Sequence, residues 1–122
     1  DRKFSLGHTA MKVNEGMPEN IIKNLEKNYN LKNKTIGLLG LTFKADCDDI
    51  RDSLAIKLLK NLKRKKLKIL YSDEFYKLSG GVTKKEVIKK SDIIIISTPH
   101  TSYKKIKIPK KKVLIDIWGH IN

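Results

Sequence analysis

The sequence predicts an α/β fold, in which short apolar strands alternate with helices. Four apolar runs have the length and composition of buried strands, and segments with helical periodicity lie between them. Such alternation predicts βαβ units, a parallel sheet and right-handed crossovers. We therefore expect a Rossmann-like three-layer fold with a mostly parallel sheet, preceded by a long N-terminal helix. The expected spatial order of the strands is second, first, third, fourth.

The first predicted element is a helix over residues 6–28, where apolar side chains recur at steps of three or four. Pro18 lacks the N–H that a helix interior requires, so we expect a kink there or a restart after Met17. We divide the chain into a central or dimerisation helix, residues 1–30, and a sheet unit, residues 31–122.

The sheet unit contains the four strands and three shorter helical segments. Hydroxyl and carboxylate side chains stand where the longer of these helices begin: Asp52 or Ser53 can cap one, and Thr83 opens a capping box with Glu86. We expect strands at residues 36–39, 67–71, 93–96 and 113–117, and helical segments from residue 52 or 53, over 83–90 and over 101–105.

The stretch 35–53 carries the most informative chemistry of the chain. An apolar strand leads through Gly40 into a loop crowded with polar and ionic residues, and a helical pattern follows at once. Open parallel sheets bind ligands at the carboxyl ends of their strands. We therefore expect a ligand site at this loop, shared with residues that follow the other strand ends.

Several side chains at these strand ends are candidates for the site. Phe43 could stack on a base or sugar, and Lys44 could pair with a phosphate; the alternatives are a Phe that covers the sheet edge and a solvated Lys. His100 follows the third strand and either donates to a ligand or only caps its loop. Trp118 and His120 follow the fourth strand and would reach the same rim.

A cluster of charged residues, Asp46, Asp48, Asp49 and Arg51, follows in the same loop. Oxygen ligands at alternate positions are compatible with a metal ion, but the Gly and the distal Glu of a calcium-binding loop are absent. We favour carboxylates that hold Arg51 in place, so that its fork can face a phosphate near a helix N-terminus. We predict no metal site.

The formal charge of +14 suits nucleic acid, an anionic surface or a phosphorylated small molecule. The lysines are scattered and few aromatic residues lie among them, so we interpret most as solvated side chains and expect no nucleic-acid partner. No apolar run approaches the roughly 20 residues of a membrane span, and no signal peptide is visible. We therefore expect a soluble, cytoplasmic protein without membrane contact.

The segment 37–55, GLLGLTFKADCDDIRDSLA, resembles the G-x-x-G-x-[AT]-[FY]-K-x-x-[ST]-x-D-x-R-[ED]-S-P-A signature of UDP-glucose/GDP-mannose dehydrogenases. These enzymes oxidise C6 of a nucleotide sugar twice, with two NAD⁺, to give a uronic acid. Asp73, residues 91–100 and Asp116 match further family positions, and the helix at 6–28 resembles the long central helix that links the family's two halves. The resemblance spans nearly all 122 residues.

The resemblance covers only the UDP-binding domain and the central helix of that family. The family's NAD-binding domain and its G-x-G-G-x-C nucleophile motif lie upstream and are not found in this sequence. The resemblance therefore implies that this fragment contains no catalytic residue and does not turn over substrate alone. It implies that Phe43 and Lys44 line the UDP-sugar site, and that Arg51 reaches toward NAD held mainly by the upstream domain of the same chain. It also implies a homodimer formed through the N-terminal helix.

Two departures from the family pattern affect these expectations. Leu54 stands where Pro is usual, and the loop 117–120 lacks the usual Arg, for which His120 or Trp118 are the candidate replacements. UDP-N-acetylmannosamine is our first substrate candidate and UDP-glucose the second. The alternative functions are a basic nucleic-acid-binding module and a non-catalytic dimerising scaffold that has lost its ligand.

Overall fold

The computed structural model describes residues 16–120, where helices alternate with strands as predicted. Each strand lies within one residue of its predicted bounds, and residues 6–15 of the predicted first helix lie outside the described part. The helices are α1 (Met17–Asn28), α2 (Leu54–Arg64) and α3 (Lys84–Lys90), the strands are β1 (Thr35–Leu39), β2 (Lys68–Ser72), β3 (Ile93–Ile96) and β4 (Val113–Asp116), and a 3₁₀ turn spans Thr101–Lys105.

The strands form one sheet in the order β2-β1-β3-β4, and every neighbouring pair is parallel. This confirms the predicted order. In the observed register, Ile36 on β1 pairs with Ile69 on β2 and with Ile93 on β3. Ile93 in turn pairs with Val113 on β4. Because all four strands run in the same direction, the loops that follow them meet at one edge of the sheet, which we call the carboxyl edge.

Alternate side chains of the strands divide the core between two helical layers, which confirms the three-layer fold. On β3, Ile93 and Ile95 pack with α1 and α2, whereas Ile94 and Ile96 pack with α3 and Tyr103. All four isoleucines are buried. A continuous apolar run is what a strand covered on both faces requires.

The helix α1 packs on the same core as the sheet. Pro18 lies in its first turn, where a missing N–H costs no hydrogen bond. Ile21, Ile22 and Leu25 are buried in the cluster that also contains the inner face of α2. The division into two units and the dimer through this helix stay predictions. In the described range 16–120 no helix is long and apolar enough to cross a bilayer.

Gly37 allows α3 to approach the sheet closely. A Cβ atom at this position would lie 2.2 Å from the Ser91 Oγ and 2.6 Å from a Val87 methyl carbon. Gly40, by contrast, makes the turn out of β1, with a φ of +102°. Gly40 is therefore the predicted exit from the strand, whereas Gly37 serves packing.

Candidate functional site

The loop between β1 and α2, residues 40–53, forms the centre of the carboxyl edge. Three hydroxyl groups donate hydrogen bonds to successive carbonyl oxygens at its start: Ser97 to Gly40 at 2.7 Å, Ser53 to Leu41 at 2.7 Å and Thr98 to Thr42 at 2.9 Å. All three hydroxyl residues are buried. Satisfied carbonyls fix the backbone direction, so the loop leaves the strand along a defined path.

Phe43 and Lys44 lie at the exposed part of this loop. The Phe43 side chain is 52% exposed, and Lys44 is also exposed. Their backbone is held from both sides, because the Phe43 N–H donates to the Asp49 carbonyl at 2.6 Å and the Thr42 hydroxyl donates to the Lys44 carbonyl at 2.9 Å. The two side chains are therefore presented to solvent on an ordered backbone.

Asp73, directly after β2, is the main acceptor of the carboxyl edge. Its Oδ1 accepts the Leu41 N–H at 2.6 Å and lies 2.8 Å from His100 Nε2, while its Oδ2 accepts the N–H groups of Phe75 and Tyr76 at 2.7 and 3.0 Å. Burial by itself raises the pKa of the Asp73 carboxyl, but the hydrogen bonds from His100, Leu41 and Phe75 outweigh burial and leave the pKa below its ordinary value.

His100 is completely buried, and both of its ring nitrogens are used within the protein. The Asp46 N–H donates to Nδ1 at 2.9 Å, so Nδ1 carries no proton and the ring proton lies on Nε2. Nε2 then donates to Asp73 Oδ1. The rings of Phe75 and Tyr103 cover the imidazole, with centroid distances of 4.9 and 5.3 Å.

Two of the acidic side chains in the loop are engaged by neighbours. The Asp46 carboxylate accepts the N–H of Thr101 at 2.9 Å and also its hydroxyl, and these bonds lower the pKa of Asp46. Asp49 accepts the Arg51 Nε at 3.0 Å and one terminal nitrogen at 2.9 Å, which lowers the pKa of Asp49 to about 2. The prediction that a carboxylate holds Arg51 is confirmed.

The Arg51 guanidinium is 86% exposed despite this pairing. Its Nη1 makes no hydrogen bond within residues 16–120, so it keeps donors for an anion. Among the same residues, no group of three His, Cys, Asp or Glu side chains is arranged to hold a metal ion.

The residues after β4 close the other side of the edge. The Trp118 indole N–H donates to the Ser97 carbonyl at 3.1 Å, so the N–H of this half-buried ring is not available to a ligand. The buried Asp116 accepts the His120 N–H at 2.9 Å, and His120 Nε2 donates to the His100 carbonyl at 2.7 Å. His120 therefore braces the His100 loop through its side chain.

A cleft of about 880 Å³ lies beside this loop, next to the end of β2. It is lined by Leu41 and Asp73 and by the segment 76–83, whereas Phe43, Lys44 and Arg51 do not line it. Tyr103, in the core cluster on the α3 face of the sheet, is fully buried, and its hydroxyl has no hydrogen-bond partner among the described residues. Burial, followed by the negative charges of Asp73 and Glu74, raises the pKa of this hydroxyl.

The structure thus brings the predicted residues to one edge but gives them different surroundings. Phe43, Lys44 and Arg51 belong to a single loop and are exposed, Trp118 is half-buried, and His100 lies beneath the surface. The hydroxyls that hold the loop were not predicted in that role, although each follows a strand or precedes a helix in sequence. That position was the available signal.

Comparison with known proteins identifies this arrangement. The model of the UDP-glucose/GDP-mannose dehydrogenase family, UDP binding domain, matches residues 37–122. The UDP-N-acetyl-D-mannosamine dehydrogenase of Pyrococcus horikoshii is 28% identical over an alignment of 124 positions. The alignment covers 93% of this chain and 29% of that protein. The UDP-glucose 6-dehydrogenase of Rickettsia conorii is 29% identical over an alignment of 126 positions, which covers 88% of this chain and 29% of that protein.

The fold agrees with these matches. The solved structure of UDP-D-ManNAc dehydrogenase from Pyrococcus horikoshii superposes with a TM-score of 0.75 at 26% identity, and the match covers 89% of this chain and 28% of that one. The chain thus spans less than a third of the length of these relatives. The chain belongs to the UDP-glucose/GDP-mannose dehydrogenase family, and the part that matches is the family's UDP-binding domain.

Proposed function

We propose that this chain holds the nucleotide sugar of an NAD-dependent 6-dehydrogenase that converts UDP-N-acetylmannosamine, or secondly UDP-glucose, to the uronic acid. The observation that carries the proposal is the presentation of Phe43 and Lys44, two exposed side chains on a backbone fixed by internal hydrogen bonds. Both activities occur among the relatives: the mannosamine enzyme of Pyrococcus horikoshii matches 93% of the chain and the glucose enzyme of Rickettsia conorii 88%. The order of the two substrates keeps that of the sequence analysis.

Phe43 and Lys44 would contact different parts of the nucleotide sugar. The Lys44 ammonium would pair with the diphosphate, and the exposed Phe43 ring offers a flat apolar surface to the uracil or a sugar. The face of Trp118 lies at the same edge as a further contact. His100 would act from beneath, because its imidazole is fully buried and cannot touch a ligand in this conformation.

The positive side chains of the loop that could face an anionic ligand are Lys44 and Arg51, both exposed. Arg51 is paired with Asp49, whereas Asp46 accepts hydrogen bonds from the neutral Thr101 and stays ionised. The chain as a whole carries a formal charge of +14, which attracts an anion over a longer range at low salt. The overall charge of the chain therefore agrees with a phosphorylated ligand.

NAD fits this chain only as a secondary contact. A dinucleotide cradle needs glycines whose open space receives the pyrophosphate, but the spaces above Gly37 and Gly40 are filled by Ser91 and Thr98. The exposed Arg51, with Nη1 donors to spare, is the residue that would contact NAD from this side. When bound, NAD accepts the hydride that leaves C6 of the sugar.

We further propose that an upstream domain of the same chain holds most of the NAD and supplies the catalytic groups. In this arrangement the residues described above bind and orient the sugar, which lowers the barrier by positioning rather than by chemistry. The chain alone would show no dehydrogenase activity. A cytoplasmic location and a homodimer formed through the N-terminal helix complete the proposal.

Titration of the ¹⁵N-labelled chain with UDP tests the binding proposal directly. We expect amide shifts to concentrate at residues 42–46, and Lys44→Ala to weaken binding at least tenfold. A charge-assisted hydrogen bond is worth about 1.5–3 kcal/mol, and tenfold in Kd corresponds to about 1.4 kcal/mol. Lys85→Ala is the matched control, because it removes an equally exposed charge from α3, on the other face of the sheet.

Two results would contradict the proposal. The absence of any UDP-induced shift at millimolar UDP would favour the scaffold without a ligand. Equal weakening by Lys44→Ala and Lys85→Ala, together with tight binding of single-stranded oligonucleotides that falls steeply with salt, would favour the nucleic-acid-binding module.

A further inference from the structure

The loop that presents Phe43 and Lys44 is held at two backbone positions on either side of them. Before the pair, the Leu41 N–H donates to Asp73 Oδ1 at 2.6 Å. After the pair, the Asp46 N–H donates to His100 Nδ1 at 2.9 Å. Asp46 has a φ of +57°, a conformation that a non-glycine residue adopts at a cost, so the bond to His100 stabilises an otherwise disfavoured turn.

The two attachment points are joined to each other by the His100 ring. His100 Nε2 donates to Asp73 Oδ1 at 2.8 Å, the same oxygen that receives the Leu41 N–H. A neutral imidazole has one donor and one acceptor, and both are used here in the only tautomer that satisfies both neighbours. The connection therefore runs from the end of β2, through the loop after β3, to the loop after β1.

Neighbouring groups fix the imidazole in position. The rings of Phe75 and Tyr103 cover it, and His120 Nε2 donates to the His100 carbonyl at 2.7 Å. The residue exposes no surface, so it cannot itself bind the ligand in this conformation. Because both ring nitrogens are bonded to protein and the ring is buried, the side chain can act on a ligand only through the residues that it contacts.

We infer that His100 and Asp73 are positioning residues that hold residues 41–46 in the conformation that binds the nucleotide diphosphate. This inference rests on the proposed function for its ligand. The order of the loop itself is independent of any ligand, so the two can be tested apart. Binding is stronger when the binding groups are ordered beforehand, because less conformational entropy is lost on association.

The test compares the unsubstituted 122-residue chain with His100→Gln. The glutamine amide nitrogen can reach the position of Nε2 and donate to Asp73, but glutamine offers no acceptor at the place of Nδ1. We expect the Asp46 amide and its neighbours from residue 43 to exchange with solvent at least tenfold faster, with β3 amides unchanged. We also expect the Kd for UDP to rise at least tenfold.

Two control variants separate positioning from other effects: Tyr103→Phe changes the chemistry of a ring next to His100, and Leu25→Val lowers overall stability. Tyr103→Phe removes a hydroxyl without a partner from the ring that packs on His100, and Leu25→Val loosens the core at α1, away from the loop. Both should leave the Kd for UDP within twofold of the unsubstituted chain. Equal weakening of UDP binding by Leu25→Val and His100→Gln would overturn the inference.

The remaining outcomes are also decisive. Unchanged exchange at Asp46 in His100→Gln overturns the inference, and so does faster exchange with an unchanged Kd. If the unsubstituted chain binds no UDP, the proposed function fails and exchange alone decides about the positioning residues. If His100→Gln does not fold, long-range ¹⁵N–¹H correlations of the unsubstituted chain decide: a proton on Nδ1 at pH 7 contradicts the network.

Discussion

Replacement of Asp73 by asparagine is the sharpest perturbation of the carboxyl edge. The carboxylate accepts four N–H donors, two on each oxygen: Leu41 and His100 on Oδ1, and Phe75 and Tyr76 on Oδ2. Asparagine keeps the size and shape of the side chain but presents one oxygen and one NH₂ group. Whichever way the amide turns, two of the four donors face another donor.

The expected cost follows from those two lost bonds. A hydrogen bond to a charged acceptor contributes about 1.5–3 kcal/mol. We take the lower value, because the loop at Phe75 and Tyr76 lies near solvent and water can satisfy part of the loss. Asp73→Asn should therefore lower the free energy of unfolding by about 3 kcal/mol, a large part of the roughly 5–15 kcal/mol typical of a domain.

Urea unfolding at pH 7 measures this difference through the fluorescence of Trp118, the one tryptophan of the chain. Trp118 reports on the right region, because its indole N–H is bonded to the Ser97 carbonyl at the same edge. Asp48→Asn is the matched control, since that carboxylate is exposed in the same loop, and it should change stability by less than about 0.5 kcal/mol.

The pH dependence gives a second and independent check. The folded-state pKa of Asp73 lies below 3.8, so its stabilisation is complete above about pH 4 and is lost as the pH falls through the folded value. Asp73→Asn should therefore unfold with a shallower dependence on pH below 4. A loss of less than 1 kcal/mol at pH 7, or an unchanged acid slope, would refute the four-donor description of Asp73.

Three further substitutions probe other parts of the edge. Gly40→Ala should destabilise the chain by about 2 kcal/mol or more in urea unfolding, because the new Cβ would lie 2.4 Å from the Thr98 Cβ at a φ of +102°. Tyr103→Phe should raise the free energy of unfolding by about 1 kcal/mol, since it removes a buried hydroxyl without a partner in the described chain. Arg51→Ala should leave the midpoint of urea unfolding almost unchanged, because its ion pair with Asp49 is exposed, and a clear loss of stability would show that the pair supports the loop.

The fold was predictable because each strand carries its own signal. A run such as Ile93–Ile96 fits only a strand covered on both faces, and the capping residues Ser53 and Thr83 mark helix starts that the structure places at the same positions. The parallel order follows from the alternation of elements. These features are set by residues close together in the sequence, so the sequence of one chain is enough to predict them.

The site was predictable only in part. Its exposed members, Phe43 and Lys44, could be selected by chemical type and by their place after a strand. The partners of His100 could not, because Asp46 and Asp73 lie 54 and 27 residues away along the chain. Whether a histidine at a strand end binds a ligand or braces a loop is decided by which loops meet there, and spacing alone contains no such information.

This difference affects how substitutions in such a domain are interpreted. Loss of binding after a change at Lys44 would indicate a lost contact, since the side chain is exposed. The same loss after a change at His100 would indicate a disordered loop, since the imidazole is buried and both nitrogens are bonded to protein. The two cases separate at the Asp46 amide, whose exchange responds to the second change and not to the first. A residue that is essential for binding need not touch the ligand, and here the hydrogen-bond geometry identifies which residues those are.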